Sequence, residues 1–386
     1  REYDARWLFG KEINLMGIQA LGMGLGTMIG EMGVKQEIVT AHDFRGYSAS
    51  IKYALISGLL AAGCKVHDIG LAVTPMAYFA QFDLDVPCVA MVTASHNDNG
   101  WTGVKMGANR PLTFGPDEMN RLKDIVLNAD FKLKPAGGYQ FHENFPARYI
   151  ADLTKRKPFA RRIRAVVACG NGTAGAFAPQ VLEKLGVDVI PLDVELDHTF
   201  PKYNPNPEDM EMLHAIRDAV LEHKADVGLG FDGDGDRCGV VDNTGEEIFA
   251  DKIGVMLARD ISALHPGAQF VVDVKSTGLF VTDPVLRKNG AKVEYWKTAH
   301  SYMKRRTMNW ARSQVLRSPA TSSSIHRSAA AMTMVSSQPS RCARCSTMRP
   351  ASRWRISRTR CRKPGRLPPC RRTARTRPNT ASSRRW

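Results

Sequence analysis

From residue 12 to about residue 300, short β-branched or apolar runs alternate with longer amphipathic stretches, the pattern of repeated βαβ units. Strands are expected at Glu37–Ala41, Lys65–Ile69, Val86–Thr93, Ile163–Ala168, Val187–Pro191, Asp226–Phe231, Gly239–Asp242, Gln269–Val274 and Lys292–Tyr295, with helices between them. Ser48 stands where a helix N-cap is needed, Gly63 can end that helix, and Thr173 and Asp209 lie near similar starts. Loops rich in Pro and Gly interrupt the pattern at Lys134–Gly138 and Phe200–Pro207. The fold class is therefore α/β, as tandem βαβ-type mixed-sheet domains. Their expected extents are 1–140, 141–243 and a partial third at 244–306.

Composition changes the picture only at the end of the chain. The net charge of +16 suggests a nucleic-acid partner until it is located: residues 311–386 hold 18 Arg and one Lys with no acidic residue, which leaves −3 for residues 1–310. That stretch has one Gly, no Phe or Tyr and no sustained period, so no core can be built from it. Residues 307–386 are expected to be a disordered basic tail, either a polybasic extension or codons read out of frame. The break falls within a βαβ pattern rather than at a domain end, which favours the second reading. Cys64, Cys88, Cys169 and Cys238 are scattered without disulfide or zinc spacing and read as reduced core residues. With no signal peptide and no run long enough to span a bilayer, the expected location is the cytoplasm, without a membrane partner.

Two strand ends carry the chemistry. Asp232-Gly-Asp-Gly-Asp-Arg237 follows an apolar strand. Three carboxylates at alternate positions, with glycines between them, can curl around one hard cation such as Mg²⁺, and Arg237 then offers a planar fork to a phosphate beside it. An EF-hand is excluded, because positions 6 and 12 counted from Asp232 are Arg237 and Asn243. At the other strand end, Thr93-Ala-Ser-His-Asn97 places Ser95 at the edge of a sheet, where α/β proteins bind ligands.

These two motifs, with Tyr3-Asp-Ala-Arg6 at the start and Asn99-Gly100 followed by Lys105, resemble those of the α-D-phosphohexomutases, most closely the phosphomannomutase/phosphoglucomutase branch. The resemblance covers about residues 1–306. It implies a phosphoserine at Ser95, a Mg²⁺ held by Ser95, Asp232, Asp234 and Asp236, and general acid/base candidates at Arg6 and Lys105. It also implies that His96 positions the phosphoserine. Substrate contacts are expected at Tyr3, Arg45, Arg237, Lys297 and His300, the last two in Lys297-Thr-Ala-His-Ser301, where Ala299 replaces the family's usual Gly.

The implied activity is the interconversion of mannose or glucose 1- and 6-phosphates through phosphoserine, with a hexose 1,6-bisphosphate as intermediate and activator. The family's later sugar-binding loop and distal phosphate loop have no counterpart after Arg306. An inactive, truncated or frame-shifted relative is therefore the alternative reading. Nucleic-acid binding through the tail is not expected, since the tail lacks regular aromatic spacing, and the oligomeric state is open.

Overall fold

The computed structural model describes residues 4–135, 137–155 and 159–315, with side-chain environments to Asn309. Strands β1 (Ala5–Leu8), β2 (Glu37–His42), β3 (Lys65–Leu71), β4 (Cys88–Val92), β5 (Trp101–Gly107) and β6 (Tyr139–Phe141) form a mixed sheet in the order β1-β5-β4-β2-β3-β6. β5 is antiparallel to both its neighbours, and the other pairs are parallel. Helices cover both faces, so the central strands read as unbroken apolar runs. Along β4, Cys88, Ala90 and Val92 join one core while Val89 and Met91 join the other, as the two-residue pleat requires.

The first core lies under helices α1 (Leu15–Glu31), α2 (Ser48–Ala61) and α4 (Pro116–Leu127), and is filled by Ile18, Leu25, Leu55, Leu59 and Ile125. On the opposite face, α3 (Thr74–Asp83) contributes Met76 and Ala77 to a core shared with α5 (Phe145–Thr154), α6 (Ala178–Lys184) and a second sheet. That sheet comprises β7 (Ile163–Ala168), β8 (Val187–Leu192), β9 (Val227–Phe231), β10 (Cys238–Asp242) and β11 (Glu247–Ile248), in the order β11-β10-β9-β7-β8. Its outer face is covered by α7 (Met210–His223). Because Phe145, Leu229 and Phe231 share one apolar cluster with Val39 and Met91, the two sheets are held together by buried surface and not by a linker alone.

A third, two-stranded parallel sheet pairs β12 (Gln269–Asp273) with β13 (Lys292–Trp296). It packs against α8 (Ala250–Leu264), α9 (Leu279–Thr282) and α10 (Pro284–Lys288). Helix α11 (His300–Val315) follows and crosses residue 306, where the composition changes.

All nine expected strands are present within a residue or two, and β1, β5, β6 and β11 are additional. β5 has two glycines and a lysine in seven residues, a poor strand sequence. It is held extended because β1 and β4 pair with it on either side, Val104 opposite both Ala5 and Val92. Ser48 does not cap its helix: it is the first helical residue, and its hydroxyl donates to Asp43 Oδ1 at 2.5 Å. Gly63 does follow the end of α2, at φ +82°, and Asp209 caps α7 by accepting from Glu211 N. Cys64, Cys88 and Cys169 are buried thiols, and Cys238 is half-buried. Among the described residues no helix is long and apolar enough to cross a membrane. Tyr3 and residues 316–386, with both readings of the basic tail, lie outside the described residues.

Candidate active site

The loops that follow β4 and β9 meet at one cleft. β4 stops at Val92, and Ser95 Oγ reaches across from its loop to donate to Asp232 Oδ2 at 2.9 Å, joining a loop of the first sheet to one of the second. Ser95 is 4% exposed and sits in the left-handed region at φ 54°, a conformation that needs support from its surroundings. Its own N–H donates to Thr93 Oγ1 at 2.8 Å, and Asp43 Oδ2 accepts from Ala94 N at 3.2 Å.

Arg45 completes the support. Its guanidinium donates to the carbonyls of Ser95 (3.0 Å), Asn97 (2.5 Å) and Asp98 (3.0 Å), and its side chain is 1% exposed. Arg45 was expected to contact substrate. Its fork is committed here to backbone oxygens of the serine loop, which it helps to shape.

The Asp232 loop closes on itself. Asp232 Oδ1 accepts from the backbone of Asp236 (3.0 Å) and Arg237 (3.1 Å), which turns the three carboxylates to one side. Gly235 has φ +68°, which favours glycine, and a Cβ on Gly233 would stand 2.5 Å from the Ser95 carbonyl oxygen. The glycines therefore permit both the curl and the approach of the two loops. Thr74, at the start of α3, fixes the middle carboxylate: its hydroxyl donates to Asp234 Oδ2 at 2.5 Å.

Lys105, on β5, donates to Asp234 Oδ2 at 2.7 Å and Asp236 Oδ2 at 2.5 Å. Burial opposes its charge, but these two carboxylates outweigh burial and hold it protonated well above the usual lysine range. Asp234 responds in the opposite sense. Burial works to raise it, yet the Lys105 ammonium and the Thr74 hydroxyl hold it below the usual carboxylate range. Asp232 is pushed well above that range by burial and by its two acidic neighbours.

The donor set fits a hard divalent cation. One oxygen from each of Asp232, Asp234 and Asp236 lies within 4.8 Å of the others, and the buried Asp234 Oδ1 has no hydrogen-bond partner among the described residues. One ammonium does not balance three crowded carboxylates, which leaves electrostatic room for the ion.

The other expected residues divide between the centre and its margins. Arg6 donates to the Thr93 carbonyl and pairs with Asp4 at 3.1 Å, which places it beside the serine loop. His96 Nδ1 lies 3.4 Å from Ser95 Oγ, and burial, reinforced by Arg237, keeps its ring below the usual histidine range. Arg237 is partly exposed at the mouth and pairs with Glu208 at 3.3 Å.

His300 lines a cavity of about 680 Å³ between the second and third sheets. Burial pulls its pKa down to about 3, and Lys304, Lys105 and Arg6 contribute in the same direction. Lys297, also expected at substrate, is exposed, lies over the Tyr302 ring at 5.8 Å and does not line this cavity. Ala299 adopts φ 123°, so its backbone takes the shape a glycine would hold without strain.

Lys275 and Lys304 line the cavity and were not singled out in the sequence, nor was Thr74. Thr74-Pro75 after a strand is a signal of a helix start, but nothing in it marks a carboxylate partner.

Models of the phosphoglucomutase/phosphomannomutase α/β/α domains I and II match residues 1–133 and 147–245. A phosphomannomutase/phosphoglucomutase of Pseudomonas putida is 35% identical over 306 residues, covering 79% of this chain and 65% of the relative. A phosphoglucomutase of Neisseria meningitidis serogroup B is 30% identical over 304 residues, with coverage of 79% and 65%. The chain thus spans about 65% of the length of these curated relatives. A solved phosphoglucomutase/phosphomannomutase family protein from Burkholderia thailandensis superposes with a TM-score of 0.75 at 30% identity, over 80% of this chain and 68% of that one. The serine and triple-aspartate loops both fall inside the matched domains, and together with these likenesses they show that the chain belongs to the phosphoglucomutase/phosphomannomutase family.

Proposed function

We propose that this chain is a phosphohexomutase that interconverts hexose 1-phosphate and hexose 6-phosphate, mannose or glucose being the sugar, with Ser95 as the phosphoryl carrier. The observation that carries this reading is the 2.9 Å contact between Ser95 Oγ and Asp232, inside a cluster of three carboxylates and one lysine assembled from two sheets. Phosphoryl transfer depends on positioning and charge neutralisation more than on covalent chemistry, and this cluster is placed to supply both.

In the proposed reaction a sugar hydroxyl oxygen attacks the phosphorus on Ser95. The new P–O bond forms as the bond to Oγ breaks, the hydroxyl proton leaves to a base, and a hexose 1,6-bisphosphate results. After the sugar reorients, Ser95 takes the other phosphate and the isomeric monophosphate departs. Asp232, Asp234, Asp236 and a phosphoserine oxygen would hold Mg²⁺, which when bound neutralises charge on the phosphoryl group.

Lys105 is held protonated by Asp234 and Asp236 and so serves first as a hydrogen-bond donor and electrostatic anchor. It can act as a base only when Asp234 and Asp236 are engaged elsewhere. Arg6, whose guanidinium meets the Thr93 carbonyl and Asp4, is better suited to steady the Thr93–Ser95 loop than to accept a proton. His96 stands to orient the phosphoserine, and Arg237 at the mouth is free to turn from Glu208 to a phosphate.

The direct test is conversion of glucose 1-phosphate and mannose 1-phosphate to the 6-phosphates by protein of confirmed intact mass, with Mg²⁺ and catalytic glucose 1,6-bisphosphate. Turnover of either sugar supports the reading. No turnover, with no phosphoryl uptake, defeats it.

A second expectation concerns the metal alone. Mg²⁺ at a hundredfold excess over its dissociation constant should stabilise the protein by about 2.7 kcal/mol, beyond the effect of NaCl at equal ionic strength. D236N should lose most of that gain, as read by thermal melting. Equal melting curves with and without Mg²⁺ would remove the ion from the proposal.

A further inference from the structure

Three cations stand in a row at Lys304-Arg305-Arg306, and the fold gives each a different environment. Arg305 Nη2 reaches Glu118 Oε1 at 2.6 Å and the Thr113 carbonyl at 3.3 Å, tying α11 to the start of α4. Arg306 Nη2 lies 2.5 Å from Glu294 Oε1 and packs over the Trp296 ring. Lys304 points between them into the molecule. It is 5% exposed, its ammonium lies 4.0 Å from the Tyr78 ring centroid, and it has no carboxylate partner among the described residues.

The surroundings indicate what the missing partner would be. His300, Met303, Lys304 and Thr307 form one face of α11 and line the 680 Å³ cavity, at the i, i+3, i+4, i+7 spacing that puts side chains on one stripe. The acids in the cavity wall are engaged. Asp273 Oδ1 accepts from Lys275 N and the Thr298 hydroxyl, Asp251 accepts from Thr277 N, and Glu208 pairs with Arg237. Burial, reinforced by Lys105, brings the pKa of the Lys304 ammonium down to about 7, and Asp236 works against that shift. A buried lysine that lines a cavity and makes no ion pair among the described residues is suited to an anionic ligand, which would hold it charged.

We propose that Lys304 is a phosphate contact, meeting the phosphoryl group of a sugar phosphate bound in this cavity. The assignment rests on the phosphohexomutase reading for its ligand class and names a residue that reading does not require. The two adjacent arginines bracket it structurally: Arg305 and Arg306 hold the helix, and Lys304 meets the ligand.

The test is binding of glucose 6-phosphate by calorimetry, with glucose as the uncharged control. K304M should weaken glucose 6-phosphate binding about 10- to 100-fold, the range for losing one hydrogen bond to a charged group, and K304R should recover most of it. In wild-type protein, glucose 6-phosphate but not glucose should protect Lys304 from acetylation by acetic anhydride, read by peptide mass spectrometry. That arm and K304R decide the matter if K304M fails to fold. Unchanged affinity in K304M, absence of protection, or no binding of glucose 6-phosphate at all overturns the proposal. Phosphoryl uptake at Ser95 is scored separately. Lys304-dependent binding without uptake retires the mutase reading and keeps the anion contact, whereas uptake with Lys304-independent binding does the reverse.

Discussion

Incubated with glucose 1,6-bisphosphate and Mg²⁺, the wild-type chain should gain one phosphoryl group that maps to Ser95, and S95A should gain none. Turnover of hexose 1-phosphate should fall on the order of 10⁴-fold or more in the same variant, since Lys105 is held protonated and the three carboxylates gather at the cation site instead of standing in for the serine. The fold should survive. The Ser95 hydroxyl makes its short contact with Asp232 only, and the loop is held mainly by Arg45 and Asp43 acting on backbone groups. Alanine is no worse than serine at φ 54°. Label on another residue, or label retained in S95A, would show that the carrier has been misassigned.

The largest effect on stability is expected far from the cleft. K52M should cost about 3–5 kcal/mol, the usual penalty for removing one partner of a buried ion pair, and should lower the melting temperature by roughly 5–10 °C. Lys52 on α2 donates to both oxygens of Asp68 on β3, at 2.8 and 2.7 Å, and the two side chains are 1% and 0% exposed. Asp68 also accepts from Gly70 N at 2.9 Å and Tyr139 Oη at 3.0 Å, so one carboxylate ties α2, β3 and β6 together. Without the ammonium that carboxylate is left as a buried charge. Adding D68N to K52M should recover much of the loss, because the amide oxygen can still accept from Gly70 without a counter-ion. A K52M protein that melts with the wild type would show that the pair is worth no more than an apolar contact.

The centre was legible in the sequence because its chemistry is concentrated: three carboxylates in five residues at a strand end, and one serine at another. Such signals survive without knowledge of the tertiary fold. Arg45 shows the opposite case. Its acceptors are carbonyls 50 to 53 residues away, and an arginine on a polar loop looks the same in sequence whether it meets substrate or backbone. Lys52 and Lys304 were invisible for a related reason. A lysine on an amphipathic helix reads as solvated, and only the packing of α2 on β3, or of α11 over Tyr78, shows that each is buried. Strand β5 was missed because its extended form is imposed by neighbours on both sides and not by its own residues. Lys297 stands exposed over Tyr302 while His300 lines the cavity, a difference that two positions of one short motif do not reveal in sequence.

The contact between Ser95 and Asp232 joins residues 137 apart in the chain, and the Lys105 bridge to Asp234 spans 129. Closing loops of that size is slow and contributes entropy cost before any contact rewards it. Each sheet can condense from shorter-range pairings, so the reactive centre is completed only at the last docking step of folding. A ligand held there stabilises the seam between the sheets. Hydrogen exchange should therefore slow first in the Thr93–Asn97 and Asp232–Arg237 loops, and burst-phase folding signals should precede any gain in affinity for the ligand.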